Sequence, residues 1–416
     1  MARIGIYGGS FNPPHLGHIR AAQETRRRLR LDRVILIPDA VPPHKTLAAG
    51  SPDAKTRLAL VRLAVEGCEG LEVSDIELRR DGPSYTVDTL RQLHTQYPQD
   101  ELFLLMGTDM FLTFDQWRGP DAIAQMAALV CMYRTEKSGA LAAELQEKAQ
   151  LLRRTLGARV EFAENDALEL SSTQARRLIF FGCGAQCVPQ AVFREIERLG
   201  LYGLGGSRRG LSLEALMEVC RPLYKPKRWL HALGCSETAA QLARRYGAAA
   251  ADARRAGILH DVTKALTDAE QIALCEQFAI AVTPSERESP WLLHAKTAAW
   301  AAEHIFGEEP ELCSAIRWHT TGRANMTTLE KIVYIADYTE PNRSFPGLED
   351  VRDALERDLD AGVLLGLETS IRHLQAQGRP VEQASVKARE FLLEQGVCVD
   401  EILRRQAERG ISEKTT

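Results

Sequence analysis

The first half of the chain alternates short apolar runs with amphipathic stretches of helical spacing. The apolar runs have the length and composition of buried strands, and they lie at Ile4 to Tyr7, Val34 to Pro38, Leu102 to Met106, Leu129 to Tyr133 and Val160 to Ala163. Strands that alternate with helices favour a parallel sheet with helices on both faces. The pattern therefore predicts a Rossmann-like, doubly wound α/β domain over residues 1–203.

The second half keeps helical spacing and shows no convincing strand signal. Its Ala-, Leu- and Arg-rich stretches predict helices at Ser212 to Val219, Ser236 to Gly247, Ala295 to Ile305 and Thr328 to Tyr338. Residues 204–211 are rich in glycine and poor in apolar side chains, which is typical of a linker. We therefore expect an all-α domain over residues 212–400 and a C-terminal tail over residues 401–416. The sequence is helical in character from about Val386 to Gly410 and polar and frayed after that.

Length and composition agree with two soluble globular domains. The chain has 416 residues, which exceeds one typical hydrophobic core, and 45% of them are hydrophobic and 26% charged. The net charge of -4 supplies no global positive field, which argues against nucleic acid or an anionic membrane as a partner. A homo-oligomer is compatible with the sequence.

The expected cellular compartment is inferred from the absence of signal-peptide and membrane-spanning patterns in the sequence. It contains no signal-peptide pattern at its beginning and no apolar run that approaches the length of a membrane-spanning helix. The nine cysteines are scattered, with no C-x-x-C pair, and are interpreted as reduced, mostly structural thiols. We expect a cytoplasmic protein.

The first strand runs into a glycine- and proline-rich turn that ends in two histidines, Gly8-Gly-Ser-Phe-Asn-Pro-Pro-His-Leu-Gly-His18. Glycines permit close backbone approach, and a helix N-terminus favours an anion. His15 and His18 share one helix face, so both imidazoles can donate to phosphate oxygens. The turn predicts a phosphate-binding site formed by Gly8, Gly9, Ser10, Phe11, His15 and His18.

A second candidate site follows near the end of this half, in Leu170-Ser-Ser-Thr-Gln-Ala-Arg176. Its hydroxyls can cap a helix and bind phosphate, and the guanidinium supplies a permanent forked charge for a triphosphate. The residues expected to bind are Ser171, Ser172, Thr173 and Arg176.

Both segments resemble the signatures of the nucleotidyltransferase superfamily, and further segments resemble bacterial nicotinate-nucleotide adenylyltransferases. These are Pro42 to Lys45, Pro83 to Thr86, Met106 to Asp109 and Trp117 to Arg118. The resemblance implies transfer of AMP from ATP, with Mg²⁺ bridging phosphates, to nicotinate mononucleotide, with release of deamido-NAD and pyrophosphate. It also implies substrate contacts from Lys45, Tyr85, Thr86, Asp109, Trp117 and Arg134, while His15, His18 and Arg176 carry the catalysis.

The helical half contains histidines and aspartates that are good ligands for transition metals, spread over several predicted helices. An adjacent His-Asp pair on a helix would let Asp261 bridge two metals while His260 binds one from the side. The segments around these residues resemble an HD-domain family that hydrolyses diadenosine tetraphosphate symmetrically to two ADP. The resemblance implies two metals, with iron expected, held by His231, His260, Asp261, His294, His319 and Asp337, and it makes Asp261 the catalytic residue of this half.

The ligand types alone leave iron, manganese, cobalt and zinc open. Lys264 and Arg343 are candidates for binding polyphosphate, or equally for surface charges. Other substrates for this half are guanosine tetraphosphate, a cyclic dinucleotide or a deoxynucleoside triphosphate, and a nucleotide-sensing module is the non-enzymatic alternative. For the first half, pantetheine-phosphate and cytidylyl transferases and class I aminoacyl-tRNA synthetases share the histidine turn.

Overall fold

The computed structural model of the protein describes residues 1–43, 46–133, 139–165, 170–206 and 208–399. Its contacts divide the chain into two compact units, Met1–Gly206 and Ser207–Thr416. Lys45, Arg134 and the expected tail at residues 401–416 lie outside the described residues.

The N-terminal unit is built on a parallel sheet whose six strands are connected by helices. In order across the sheet the strands are β3-β2-β1-β4-β5-β6. Their bounds are β1 Arg3–Gly9, β2 Arg33–Pro38, β3 Leu71–Val73, β4 Glu101–Gly107, β5 Ala127–Tyr133 and β6 Val160–Glu164. The helices are α1 Leu16–Arg28, α2 Ala54–Val65, α3 Thr86–Gln96, α4 Thr108–Leu112, α5 Pro120–Met126, α6 Gly139–Leu156, α7 Ser172–Phe180 and α8 Gln190–Leu199.

The strand order reverses at the centre of this sheet. Ile6 of β1 is paired with Ile35 of β2 on one side and with Leu104 of β4 on the other. The chain leaves β1 to build one half of the sheet and leaves β4 to build the other half. A crevice therefore opens at the carboxyl ends of β1 and β4, where open α/β sheets bind ligands.

The predicted α/β fold is confirmed, and each predicted strand is found. β3 was missed because it has three residues and lies at the sheet edge, which is too short to show an alternating pattern.

In the C-terminal unit, all regular secondary structure among the described residues is helical. Its helices are α9 Leu213–Cys220, α10 Pro226–Tyr246, α11 Ala250–Leu259, α12 Asp268–Gln277, α13 Pro284–Glu288, α14 Leu293–Ala301, α15 Pro310–Trp318, α16 Thr328–Thr339, α17 Leu348–Leu355, α18 Leu359–Ala376 and α19 Gln383–Glu394. A π-helical turn, Ala302–Phe306, continues α14. Four helices, α10, α11, α15 and α16, pack on one another, and α14 packs on α15.

Some boundaries in this unit differ from the sequence prediction. α10 begins at Pro226, well before the predicted Ser236, because proline is suited to the first turn of a helix. The helix expected to reach Gly410 ends at Glu394, where Gly396 follows with a φ of 81° that favours glycine. Among the described residues, the helices lack the combination of length and apolar character that crossing a bilayer requires.

Candidate active sites

The chain leaves β1 through a tight turn that leads directly into α1. Phe11 has a φ of 43°, in the left-handed region, which reverses the backbone after Ser10. His15 is the N-cap of α1, and its backbone N–H donates to Nδ1 of His18 at 3.2 Å. Because Nδ1 of His18 accepts this bond, the hydrogen of a neutral His18 ring is on Nε2. The turn therefore presents His18 Nε2–H as a donor suited to an anion.

The two histidine rings stack on each other, with centroids 3.5 Å apart and planes inclined by 25°. His15 is buried, and burial lowers its pKa to about 4, so this ring is neutral at physiological pH. Within the described part of the chain, its Nδ1 is buried and has no hydrogen-bond partner. An unpaired buried nitrogen is costly and is typical of functional sites.

The second predicted segment lies against this turn. Arg176 donates from one terminal nitrogen to the carbonyl oxygen of Asn12 at 2.7 Å, and from the other to the hydroxyl of Thr173 at 3.0 Å. Ser171 caps α7 by accepting the N–H of Gln174 at 3.1 Å. Two segments more than 150 residues apart in sequence thus form one surface, with hydroxyls, a guanidinium and two helix N-termini.

A cavity of about 470 Å³ adjoins the turn at the carboxyl ends of β1 and β4. Its wall includes residues that the sequence assigned to nucleotide or to pyridine binding, namely Gly8, Gly9, Ser10, Tyr85, Thr86 and Trp117. The Arg118 guanidinium lies 4.4 Å from the centre of the Tyr85 ring. Asp109 is exposed in the first turn of α4, and its neighbours Gly107 and Met110, rather than Asp109 itself, contribute to the described wall.

Arg57 is a buried arginine that the sequence analysis missed, and it donates hydrogen bonds to this turn. Arg57 is 1% exposed and donates to the carbonyl oxygen of Ser10 at 2.7 Å and to Oδ1 of Asp39 at 2.8 Å. It lies on α2, whose other charged side chains are exposed, so nothing in the sequence distinguishes it from them. These hydrogen bonds connect α2 to the turn that follows β1.

In the C-terminal unit, six predicted ligands meet in one buried cluster. His231 lies on α10 and Asp337 on α16, while His294 is the second residue of α14. His260 and His319 are the C-cap residues of α11 and α15. The expectation that the His260-Asp261 pair lies within a helix is wrong, because α11 ends at Leu259 and the pair forms the turn after it.

The tautomers of three of these histidines are fixed by backbone carbonyl oxygens. Nδ1 of His260, His294 and His319 lies 2.9, 2.6 and 2.7 Å from the carbonyl oxygen three residues earlier. A carbonyl oxygen only accepts, so each Nδ1 carries the hydrogen and each Nε2 lone pair is available for a metal.

The two carboxylate oxygens of Asp261 face different histidines. Oδ1 lies 3.2 Å from Nε2 of His294 and 3.8 Å from that of His319. Oδ2 lies 3.5 Å from Nε2 of His260 and 3.8 Å from that of His231. Asp337 Oδ1 completes the second group at 2.9 Å from His231 Nε2. The cluster therefore has two halves that share Asp261.

The donor set fits a divalent metal site. The Nε2 atoms are 3.3 Å apart in the His231–His260 pair and 3.2 Å apart in the His294–His319 pair, and converging lone pairs repel unless a cation lies between them. Groups of ligand atoms within 4.8 Å of one another include His231, His260 and Asp337, and also His260, Asp261 and His319. The Cys235 thiol belongs to the first group, 3.5 Å from Nε2 of His231.

Electrostatics keep both aspartates ionised in spite of their burial. Burial alone would raise the pKa of Asp261, but His260 and His294 outweigh it and hold that pKa well below its usual range. Burial also opposes ionisation of Asp337, whose pKa is lowered by its hydrogen bond with His231 and by Arg343. Burial lowers the pKa of His319 to about 3.

Three cations surround the cluster. Arg228 lies 3.0 Å from Oδ2 of Asp261, and Arg343 donates to Oδ1 of Asp337 at 2.7 Å. Lys264 Nζ lies 2.9 and 3.2 Å from the ring nitrogens of His294, and burial lowers its pKa. Lys264 and Arg343 were candidates in the sequence, whereas Arg228, which precedes His231 by three residues, was missed.

Comparison with known proteins separates the two units. The cytidylyltransferase-like family model matches residues 6–178. A protein of Desulfatibacillum aliphaticivorans named "probable nicotinate-nucleotide adenylyltransferase" is 38% identical over 219 residues, which cover 48% of this chain and 99% of that protein. One of the same name from Maridesulfovibrio salexigens is 45% identical over 145 residues, which cover 35% of this chain and 67% of that protein. The chain belongs to the nicotinate-nucleotide adenylyltransferase family.

The C-terminal unit contains an HD domain, whose family model matches residues 228–342. A crystal structure described as a predicted HD superfamily hydrolase involved in NAD metabolism, from Clostridium acetobutylicum, is 31% identical, with a TM-score of 0.44 and coverage of 46% of this chain and 100% of that one. The Plasmodium falciparum nicotinic acid mononucleotide adenylyltransferase complexed with NaAD is 14% identical, with a TM-score of 0.40 and coverage of 49% and 99%.

The HD domain implies a divalent metal site, and the cluster supplies the ligands for it. Glu340 also belongs to this site although the sequence analysis gave it no role there. Glu340 lies three residues after Asp337, but its partner is His231, more than 100 residues earlier. A contact across that separation leaves no signal in a single sequence.

Proposed function

We propose that the N-terminal unit transfers AMP from ATP to nicotinate mononucleotide. A phosphate oxygen of the mononucleotide forms a bond to the α-phosphorus of ATP, and the bond from that phosphorus to the β-bridging oxygen breaks. The products are deamido-NAD and pyrophosphate. The attacking phosphate is already anionic, so the site needs no strong base and acts by positioning and by neutralising charge.

The observation that carries this proposal is the contact of Arg176 with the backbone of Asn12 beside His15 and His18. The turn that Arg176 contacts begins with Gly8, Gly9 and Ser10, which line the same cavity as Thr86 and Trp117, and this cavity is large enough for a pyridine nucleotide. Trp117 offers a flat surface for a pyridine ring. Lys45, Asp109 and Arg134 remain predicted contacts, and Mg²⁺ would accompany ATP as part of the substrate.

The test is formation of the dinucleotide by purified full-length protein from ATP and either nicotinate or nicotinamide mononucleotide. Wild type should form deamido-NAD with Mg²⁺, and His18→Ala should lose about 10²- to 10³-fold in kcat because a phosphate donor is removed. His94→Gln, a histidine change on the exposed side of α3, is the matched control. Absence of product from both mononucleotides would reject the proposed substrate.

We propose further that the HD domain hydrolyses diadenosine tetraphosphate symmetrically at a dinuclear metal centre. Water adds to one of the two central phosphorus atoms, the oxygen bridge between these atoms breaks, and the two products are ADP with release of a proton. Divalent ions held by the six ligands, with iron as the expected metal, would supply Lewis acidity and activate water. The chain itself contributes the cations: Arg228, Lys264 and Arg343 are available to neutralise a polyphosphate.

The observation that supports hydrolysis is the shared Asp261, whose two oxygens serve the two halves of the cluster. Two-metal sites that cleave phosphate esters commonly use such an arrangement. The same metal site could also hydrolyse guanosine tetraphosphate, cyclic dinucleotides or deoxynucleoside triphosphates. Product analysis is therefore needed to identify the substrate.

The decisive experiment incubates diadenosine tetraphosphate with wild type and Asp261→Ala in the presence of Fe²⁺ or Mn²⁺. Two equivalents of ADP, lost in the variant, are expected. ATP plus AMP would indicate asymmetric cleavage and contradict the proposal. Tight binding of the dinucleotide without turnover under any metal would favour a nucleotide-sensing module, and turnover of only the other nucleotides would reassign the substrate.

A further inference from the structure

His231 differs from the other histidines of the cluster in the partner of its Nδ1. His260, His294 and His319 each use a backbone carbonyl oxygen. His231 instead has its Nδ1 3.0 Å from Oε1 of Glu340. A carboxylate carries a full charge, so this hydrogen bond is stronger than one to a carbonyl oxygen and makes the opposite nitrogen a better donor to a metal.

The carboxylate of Glu340 is buried and fully engaged. Glu340 is 1% exposed, and its second oxygen, Oε2, accepts the backbone N–H of Asn342 at 2.7 Å and its side-chain amide at 2.8 Å. Among the residues that the structure describes, His231 is the only ion-pair partner of this carboxylate. A buried charge with one such partner is expensive to maintain unless it serves a function.

Space for this carboxylate exists because residue 234 of α10 is a glycine. A Cβ at Gly234 would lie 2.3 Å from Oε2 of Glu340 and 3.1 Å from the Asn342 side-chain amide. Glycine inside a helix costs about 1 kcal/mol relative to alanine. The helix therefore accepts a less stable residue at the point where a side chain would displace Glu340.

We propose that Glu340 is a positioning residue of the metal centre, which acts through His231 and for which Gly234 provides the space. Its hydrogen bond holds the hydrogen on Nδ1 and directs Nε2 toward the half of the cluster formed with His260 and Asp337. The consequence for turnover rests on the hydrolytic function proposed above. The consequence for metal binding does not, because it is measured without a nucleotide.

The test measures Mn²⁺ binding to metal-free full-length protein by electron paramagnetic resonance and calorimetry. Glu340→Ala should weaken one of two sites about 10- to 100-fold. Glu340→Gln should weaken it less, because the amide oxygen still accepts from Nδ1. Gly234→Ala should weaken the same site, because its Cβ would displace the Glu340 carboxylate, while the other site keeps its affinity, which a general loss of structure would not produce.

Glu349→Gln, an exposed carboxylate on α17, is the control and should bind as wild type. Wild-type affinity at both sites in Gly234→Ala and Glu340→Gln would overturn the proposal, even if Glu340→Ala did not fold. Weakened Mn²⁺ binding in a protein that leaves diadenosine tetraphosphate intact would support the role of Glu340 and reject only the proposed substrate.

Discussion

The guanidinium of Arg228 lies 3.0 Å from Oδ2 of Asp261, the carboxylate oxygen that faces His231 and His260. Arg228 precedes His231 on α10 by one helical turn, so the same helix provides a candidate metal ligand and a counter-ion to Asp261. Without metal, this cation balances the negative charge of Asp261. With metal bound that charge is already balanced, and the guanidinium is available to a phosphate.

This arrangement predicts a metal-dependent effect of Arg228→Gln. The variant should lower the free energy of unfolding of the metal-free protein by about 1–2 kcal/mol, since a charged hydrogen bond to a buried carboxylate is lost at a partly exposed site. The loss should shrink once Mn²⁺ is added. Chemical denaturation with and without the metal measures both values, and Lys227→Gln, an exposed neighbour on α10, provides the comparison. An equal loss in both states would contradict the assignment.

Arg176→Lys should strongly impair adenylyl transfer although the lysine keeps the positive charge. A lysine has no planar fork and cannot serve the carbonyl of Asn12 and the hydroxyl of Thr173 together. We expect kcat to fall about 10²- to 10³-fold. Steady-state rates with ATP and nicotinate mononucleotide measure this, and urea denaturation of the N-terminal unit checks that the variant folds. A kcat within twofold of wild type would show that only charge matters at this position.

Arg57 and Asp39 form a buried ion pair that a double-mutant cycle can isolate. Arg57→Met should cost about 3–5 kcal/mol because it leaves the Asp39 carboxylate buried without its cation. Adding Asp39→Asn should recover part of that loss, since the uncompensated charge is removed. Urea denaturation of the transition belonging to the N-terminal unit measures the four free energies. Strict additivity of the two changes would contradict direct coupling.

Burial of His15 should make the N-terminal unit less stable as the solution becomes acidic. Its pKa is about 4 in the folded protein and 6.5 when exposed, so between these values the unfolded state binds the extra proton. The contribution of the neutral His15 ring to folding stability is complete above pH 6.5 and is lost as the pH falls to about 4. The free energy of unfolding falls over this range by up to about 1.4 kcal/mol per pH unit. The difference in the free energy of unfolding between wild type and His15→Gln should therefore narrow with acidification. Parallel stability curves for His15→Gln would reject this.

Most of the fold could be predicted because each element carries its own local pattern. The buried strands β1, β2, β4, β5 and β6 are continuous apolar runs, which a window of a few residues detects. β3 has too few residues for this, and the end of α19 depends on Gly396, whose left-handed conformation outweighs the helix-forming residues after it.

The residues of the candidate sites also fall into two groups, those that a sequence motif reveals and those that only the structure reveals. Short motifs such as His15 to His18 keep their residues together in sequence, so their chemistry is visible before the structure. The partners of Arg57 and Glu340 lie on other elements, and a buried arginine or glutamate looks like any solvated charge until those elements are packed. Sequence indicated the candidate metal ligands, and the structure was needed to find the groups that contact them.

The sharing of Asp261 between the two halves of the cluster has a thermodynamic consequence. A carboxylate that already serves one dication offers less negative charge to the next, and two dications held by one side chain repel each other. We therefore expect the two ions to bind with negative cooperativity. Because such coupling is reciprocal, each ion should weaken the binding of the other by the same factor, and the fully loaded centre would depend on the free metal concentration around the protein.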